Sequence, residues 1–265
     1  MKRTALVGLA LCVAASAFAQ GLYWQSRTEG TVGERVSEMY AMPRKMKVVQ
    51  QGDREHPITI IRLDREVLWQ LNPEKKTYSE MTFAQMEAMM SKAGGKMDAA
   101  KAKMQEQMKN MPEEQRKMME KMMGERMPGM SGTTDAAVEV RNTDERKTIS
   151  GFACTKYTVA QGENTIMTLW VTRDVRGFNE LREVWKALSR RMAAMTARFG
   201  KEMADAYKNI DGFPIQTEMG HGVITTVTRV ERRSTPASEF EIPAGYAKVR
   251  SEMDDAMEKM EKEEE

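Results

Sequence analysis

The sequence predicts an α+β protein built on one antiparallel sheet, with helices segregated from the strands. Three observations carry this. Short β-branched runs joined by short polar turns fill residues 22–81 and return after Val138. Between them the apolar spacing changes to three and four residues, and about half of the chain's 26 methionines fall there. A second helical stretch then separates two late strand runs, so strands and helices come in blocks and do not alternate.

Leu22-Tyr23-Trp24 opens the first expected strand. Met39 to Val49 reads as a second, disturbed by Pro43. Ile58-Thr59-Ile60-Ile61-Arg62-Leu63 is a dense β run, Asp64-Arg65 a turn, and Val67, Trp69 and Leu71 alternate with Leu68 and Gln70. Asn72-Pro73-Glu74-Lys75 is a turn signal ahead of Thr77-Tyr78-Ser79. This is the pattern of a meander.

Phe83, Met86 and Met90 then recur at helical spacing, and Met97, Met104, Met108 and Met111 continue it. Gly94-Gly95 is expected to separate two helices. Pro112 followed by Glu113-Glu114 suits a new helix start, with Met118, Met119, Met122 and Met123 on one face. The Met-rich helical insertion is placed at 82–133.

Strand signals resume at Val138 and Val140, Thr148-Ile149, Cys154 to Val159 and Thr165 to Thr172. Leu181, Val184, Trp185, Leu188, Met192, Met195, Phe199, Met203 and Tyr207 form the longest helical stripe, with Asn179 as its N-cap. Phe213 to Met219 and Val223 to Val230 read as a hairpin with Gly220-His221-Gly222 at its tip. Phe240-Glu241-Ile242-Pro243 is expected to be extended, and Met253, Met257 and Met260 suit a short terminal helix.

The N-terminus reads as an export signal over residues 1–19. Lys2 and Arg3 precede an uncharged apolar stretch, Ala5 to Ala17, and Ala17-Phe18-Ala19 fits small-x-small cleavage before Gln20. The stretch is too short for a stable membrane span, no later stretch is long enough, and Leu11 before Cys12 does not suit lipidation. A single domain is expected over 20–250, a solvated acidic tail over 251–265, and a periplasmic or secreted location. The mature chain keeps one cysteine, Cys154, which rules out an internal disulfide or a multi-cysteine metal site. A formal net charge of +2 gives nucleic acid no electrostatic footprint.

Certain phrases, in this order, carry a resemblance: Ile60 to Asp64 running into Val67-Leu68-Trp69, Asn72 to Tyr78, Ile149 to Tyr157, Leu169-Trp170-Val171-Thr172, Gly212-Phe213-Pro214-Ile215, and Phe240 to Tyr246. The chain resembles exported bacterial proteins of domain-of-unknown-function family 4412. That family is similar in turn to the LolA-like superfamily of periplasmic lipoprotein carriers and lipid binders. The resemblance implies a strongly curved half-barrel with helices over its concave face and, in the carriers, a cavity for acyl chains. It supplies no catalytic or binding residue.

Three chemistries remain for the methionines. Flexible thioethers can repack around varied apolar ligands or simply complete a core. On the ligand reading Trp69, Met86, Met90, Trp170, Trp185 and Met192 line the site, although the tryptophans also suit plain core anchors. Met118, Met119, Met122 and Met123 have the spacing of an alternative copper(I) site, but Met serves as the general apolar helix residue throughout this chain. Reversible oxidation to the sulfoxide is the third. Catalysis would need Cys154 joined to His221 by the fold, and Cys154 sits in a strand pattern where a small buried thiol is ordinary. The expectation is a non-enzymatic protein without a cofactor, binding a hydrophobic or lipid-like ligand or an envelope protein or lipoprotein.

Overall fold

The structure is a computed structural model. It describes residues 20–30, 33–52, 57–89, 137–178, 210–219 and 222–251 as continuous runs, together with 91, 92, 95, 103, 182, 254 and 255. Six strands precede the Met-rich segment: β1 (Gln20–Glu29), β2 (Arg35–Met42), β3 (Lys45–Gln51), β4 (Ile58–Arg62), β5 (Val67–Asn72) and β6 (Thr77–Thr82). Helix α1 covers residues 83–89. Then follow β7 (Val138–Ile149), β8 (Phe152–Gln161), β9 (Asn164–Thr172), β10 (Phe213–Met219), β11 (Ile224–Ser234), a 3₁₀ turn (Ala237–Phe240) and β12 (Ala247–Lys248).

All the strands belong to one curved, open, twelve-stranded sheet in the order β12-β6-β5-β4-β3-β2-β1-β11-β10-β9-β8-β7. The two meanders that the sequence separates therefore share a sheet. They join where β1 pairs antiparallel with β11, from Gln20 opposite Ser234 to Glu29 opposite Ile224. The described part is mostly β.

Turn chemistry sets the registers. Pro43 does not disturb one strand; it divides two. Met42 pairs with Lys45 across Pro43-Arg44, and Arg44 takes φ 62°. Proline's fixed φ followed by a left-handed residue is the φ pattern of a type II turn. Ser150 (φ 49°) and Gly151 (φ 82°) make the two-residue turn with two positive φ angles that matches the twist of its flanking strands. The signals at Val138 and Thr148 belong to one strand, β7, whose ladder with β8 is interrupted between Asn142 and Arg146. Asp144 there has φ 60° and donates its N–H to Asn142 Oδ1 at 3.0 Å.

Helix α1 begins on a reciprocal cap. Gln85 N–H donates to Thr82 Oγ1 at 3.1 Å, and Thr82 N–H donates to Gln85 Oε1 at 2.9 Å. This satisfies donors that a helix start leaves unpaired. Gly95 is helical, so the break expected at Gly94-Gly95 does not fall on that residue. Glycine costs a helix about 1 kcal/mol without forbidding it.

At the start of β10 a glycine is obligatory. Gly212 has φ 137°, and a Cβ there would lie 2.4 Å from the Thr172 carbonyl oxygen and 2.7 Å from Val171 Cγ1. Gly212→Ala is expected to destabilise the fold by about 3 kcal/mol or more, combining backbone strain with overpacking. Urea titration should show a lower midpoint at an unchanged slope.

Candidate functional site: the apolar sheet face

Alternate residues of a strand point to opposite faces, so paired strands lay out cross-strand rows. One row runs Leu22, Ala41, Met46, Ile61, Leu68, Met81, each opposite the next. Beside it Val230, Trp24, Met39 and Val48 form a second apolar row on the same face. Helix α1 packs here, because Phe83 and Met86 share a buried cluster with Leu22, Trp24, Ala41, Met46 and Ile61. Phe178 joins the cluster too, with its ring 5.4 Å from that of Phe213, which meets Trp24 edge-on at 5.7 Å. Met39, Met46, Met81 and Met86 therefore gather on one side of the sheet. A notch lined by Leu22, Ala41, Pro43, Gly177 and Arg232 among others opens beside this face, with a cavity volume of about 10 Å³. That is room for about one water.

The opposite face is different in kind. Its central row runs Glu231, Tyr23, Tyr40, Lys47, Ile60, Trp69, Glu80. Arg233 stacks on Tyr23 with 3.8 Å from its guanidinium carbon to the ring centre, while Glu231 accepts from Arg233 and Arg229. Burial, reinforced by the Tyr40 hydroxyl's hydrogen bond to Glu38, pushes the Tyr40 phenol up to about 12.

The segment after β11 straps this second face. Phe240 is fully buried against Ile60, Val67, Trp69 and Leu71. It ends a 3₁₀ turn, so the expected extended piece begins one residue later, at Glu241 (φ −116°, ψ 160°); Pro236, at φ −65°, precedes the turn, and the N–H of Glu241 donates back to the Ser238 carbonyl. The Arg62 side chain, 3% exposed, grips both carboxylate oxygens of Asp64 at 2.8 and 2.7 Å. It also donates to Glu241 Oε1 at 2.6 Å and to the Phe240 carbonyl at 3.2 Å. Lys47–Glu239 at 2.6 Å and Lys248–Glu80 at 2.7 Å extend the fastening, and β12 adds a parallel pairing to β6. The Arg62 hydrogen bonds hold the Asp64 carboxyl down at about 2. Lys248, with a further bond from the Trp69 indole, lowers Glu80. Sequence reasoning did not find this strap. The one signal was Arg62 itself, a charge inside an otherwise apolar β run.

Of the expected site residues, Met86 and Trp170 belong to the same buried cluster. The Trp170 indole N–H donates to Glu218 Oε1 at 3.1 Å, and the Lys147 ammonium lies 4.8 Å from the ring centre. Trp69 is not brought together with them. It lies in the strapped cluster, donating to Glu80 Oε2 at 2.8 Å. Met90, Trp185, Met192 and the copper alternative Met118, Met119, Met122 and Met123 lie outside the described residues, as do His56 and His221. Cys154 is buried, with its thiol 3.4 Å from the Phe152 carbonyl, and burial raises its pKa. That favours the thiol over the nucleophilic thiolate. Among the described residues no three His, Cys, Asp or Glu side chains are grouped to hold a metal ion.

The molecule is thus an open sheet with an apolar face, against which α1 and Phe178 pack, and a second face strapped across β3 to β6 by the C-terminal segment. The family model for the domain of unknown function DUF4412 matches residues 84–246, and the chain belongs to that family. The phrases from β4 to β6 that carry part of the resemblance lie before the matched span. A search of curated proteins finds no match. Solved structures with similarity include an uncharacterized conserved protein from Thermus thermophilus, at TM-score 0.43 and 11% identity over 86% of this chain and 90% of that one. PNGF-II gives 0.38 and 10%, over 90% of this chain and 32% of that one. MucB in the Pseudomonas aeruginosa MucA/MucB complex gives 0.37 and 9%, over 86% and 56%. The chain therefore spans about a third of the length of PNGF-II and about half that of MucB.

Proposed function

We propose that this is an exported binding protein that takes a lipid-like hydrophobic ligand against its apolar sheet face and performs no covalent chemistry on it. The observation that carries the reading is the continuity of that face. Two adjacent cross-strand rows are apolar from β1 to β3, and one continues to β6. Met39, Met81, Leu68, Val48, Phe178 and Val230 on it are only partly buried. Thioethers suit this role because an unbranched, polarizable side chain repacks around different shapes at low cost. Export is read from the signal-like pattern of Lys2 to Ala19. Among the described residues no helix is long and apolar enough to cross a membrane.

Native mass spectrometry of the mature protein, before and after solvent extraction, should show a lipid-sized adduct that extraction removes. The extracted protein should bind N-phenyl-1-naphthylamine, and oleate or lysophospholipid should displace it. Met81→Gln with Met86→Gln should weaken binding about tenfold or more, equivalent to about 1.4 kcal/mol. Circular dichroism would confirm that the variant stays folded. A wild-type protein that neither carries an adduct nor binds the probe would refute the reading. A co-purifying protein in place of lipid would favour an envelope partner.

A further inference from the structure

We infer that the mature chain begins with a pyroglutamate ring at position 20. This rests on the export reading, in which cleavage after Ala19 leaves Gln20 as the first residue. A glutamine in that position holds its own electrophile. The α-amine lone pair attacks Cδ of the side-chain carboxamide, a five-membered lactam closes, and the bond from Cδ to the side-chain nitrogen breaks. Ammonia leaves with a proton from the amine. No oxidant, reductant or second substrate is required. An α-amino group titrates near about 7.7–8.0, so a useful fraction is unprotonated at neutral pH.

The fold accommodates the product. Gln20 is exposed and is the first residue of β1, opposite Ser234 on β11. Closing the ring uses only the amine and the side chain. The Gln20 carbonyl stays in place, and the lactam keeps one N–H as a donor. The change also suits the charges at this end of the sheet. Gly21 lies opposite Arg233 and Leu22 opposite Arg232, and Arg232 lines the same notch as Gln20. An open N-terminus would add a positive group near Arg232 and the Glu231-paired Arg233, whereas the lactam is neutral.

The test uses the full-length precursor, expressed with export and purified as the mature protein. Intact mass should equal that of residues 20–265 less one ammonia, and Edman sequencing should be blocked. Pyroglutamyl peptidase should release the block and expose Gly21. Gln20→Ala should give the full calculated mass and a readable N-terminal Ala. A chain that starts at Gln20 and keeps a free amine after days at neutral pH overturns this inference and leaves the export reading standing. A chain that starts at another internal residue overturns this inference alone, and one that still starts at Met1 overturns the export reading as well.

Discussion

Phe240→Ala is expected to lower the free energy of unfolding by about 3–5 kcal/mol, the range for deleting a large, fully enclosed aromatic side chain. The residue has no exposed surface, and its pocket is walled by Ile60, Val67, Trp69 and Leu71 from two paired strands. Paired strands cannot collapse inward to fill the void without breaking their ladder, which places the cost toward the upper end. The effect should also spread along the strap. β12 is only two residues long and joins β6 through its own short parallel pairing, so it depends on the strap being seated. Hydrogen exchange should report faster opening at Ala247 and Val249, whose N–H groups donate to the Lys76 and Tyr78 carbonyls. Exchange in β8 and β9 should change only as far as global stability falls.

Arg62→Met should cost about 2–4 kcal/mol at pH 7. Removing one partner of a buried ion pair commonly costs about 3–5 kcal/mol. Here the carboxylates left behind, 29% and 38% exposed, can recover part of that from water. A distinctive signature lies in the pH dependence. Asp64 is held at about 2 against an ordinary 3.8, chiefly by its hydrogen bonds from Arg62. A carboxyl depressed on folding stabilises fully above its unfolded value, and that contribution is lost as pH falls through the folded one. Wild type should therefore lose about 1–2 kcal/mol from this group between about pH 4 and pH 2, after allowance for solvent screening. The variant should lack that part of the slope. Urea titrations at pH 7, 4 and 2 would measure both. The Phe240→Ala and Arg62→Met costs should not add, because either change loosens the same strap.

How much of this was legible in the sequence depended on range. Ile58 to Leu63, the turn at Asn72 to Lys75 and the strand after it were readable because period-two patterning and turn residues act within a few positions. Pro43 was visible but misassigned. A proline inside an apparent strand signals either a defect or a turn, and only Arg44's left-handed backbone decides between them. The union of β1 with β11 left no local trace, since nothing near Leu22 specifies a partner near Arg232. The strap was hidden for a related reason. Phe240 and Glu241 are each ordinary alone, and the charge of Arg62 inside an apolar run gains its meaning only from a contact that spans 179 positions from Arg62 to Glu241. Of the expected site, Met86 and Trp170 fall within one extended buried cluster, whereas Trp69 alternates with its strand neighbours onto the other face. Aromatic character alone does not carry that sidedness; register does.

The β1–β11 seam has a consequence for how the chain is made. Contacts across it join positions 197 apart, as between Thr28 and Thr225, so neither meander can close on the other until nearly the whole polypeptide is present. Loop closure on that scale is slow compared with local hairpin formation. A chain threaded N-terminus first through a narrow export channel would therefore emerge with its leading strand unmatched on one side. If the chain is exported as Lys2 to Ala19 suggest, the same architecture that binds the finished sheet together would also postpone its completion until transport is almost over.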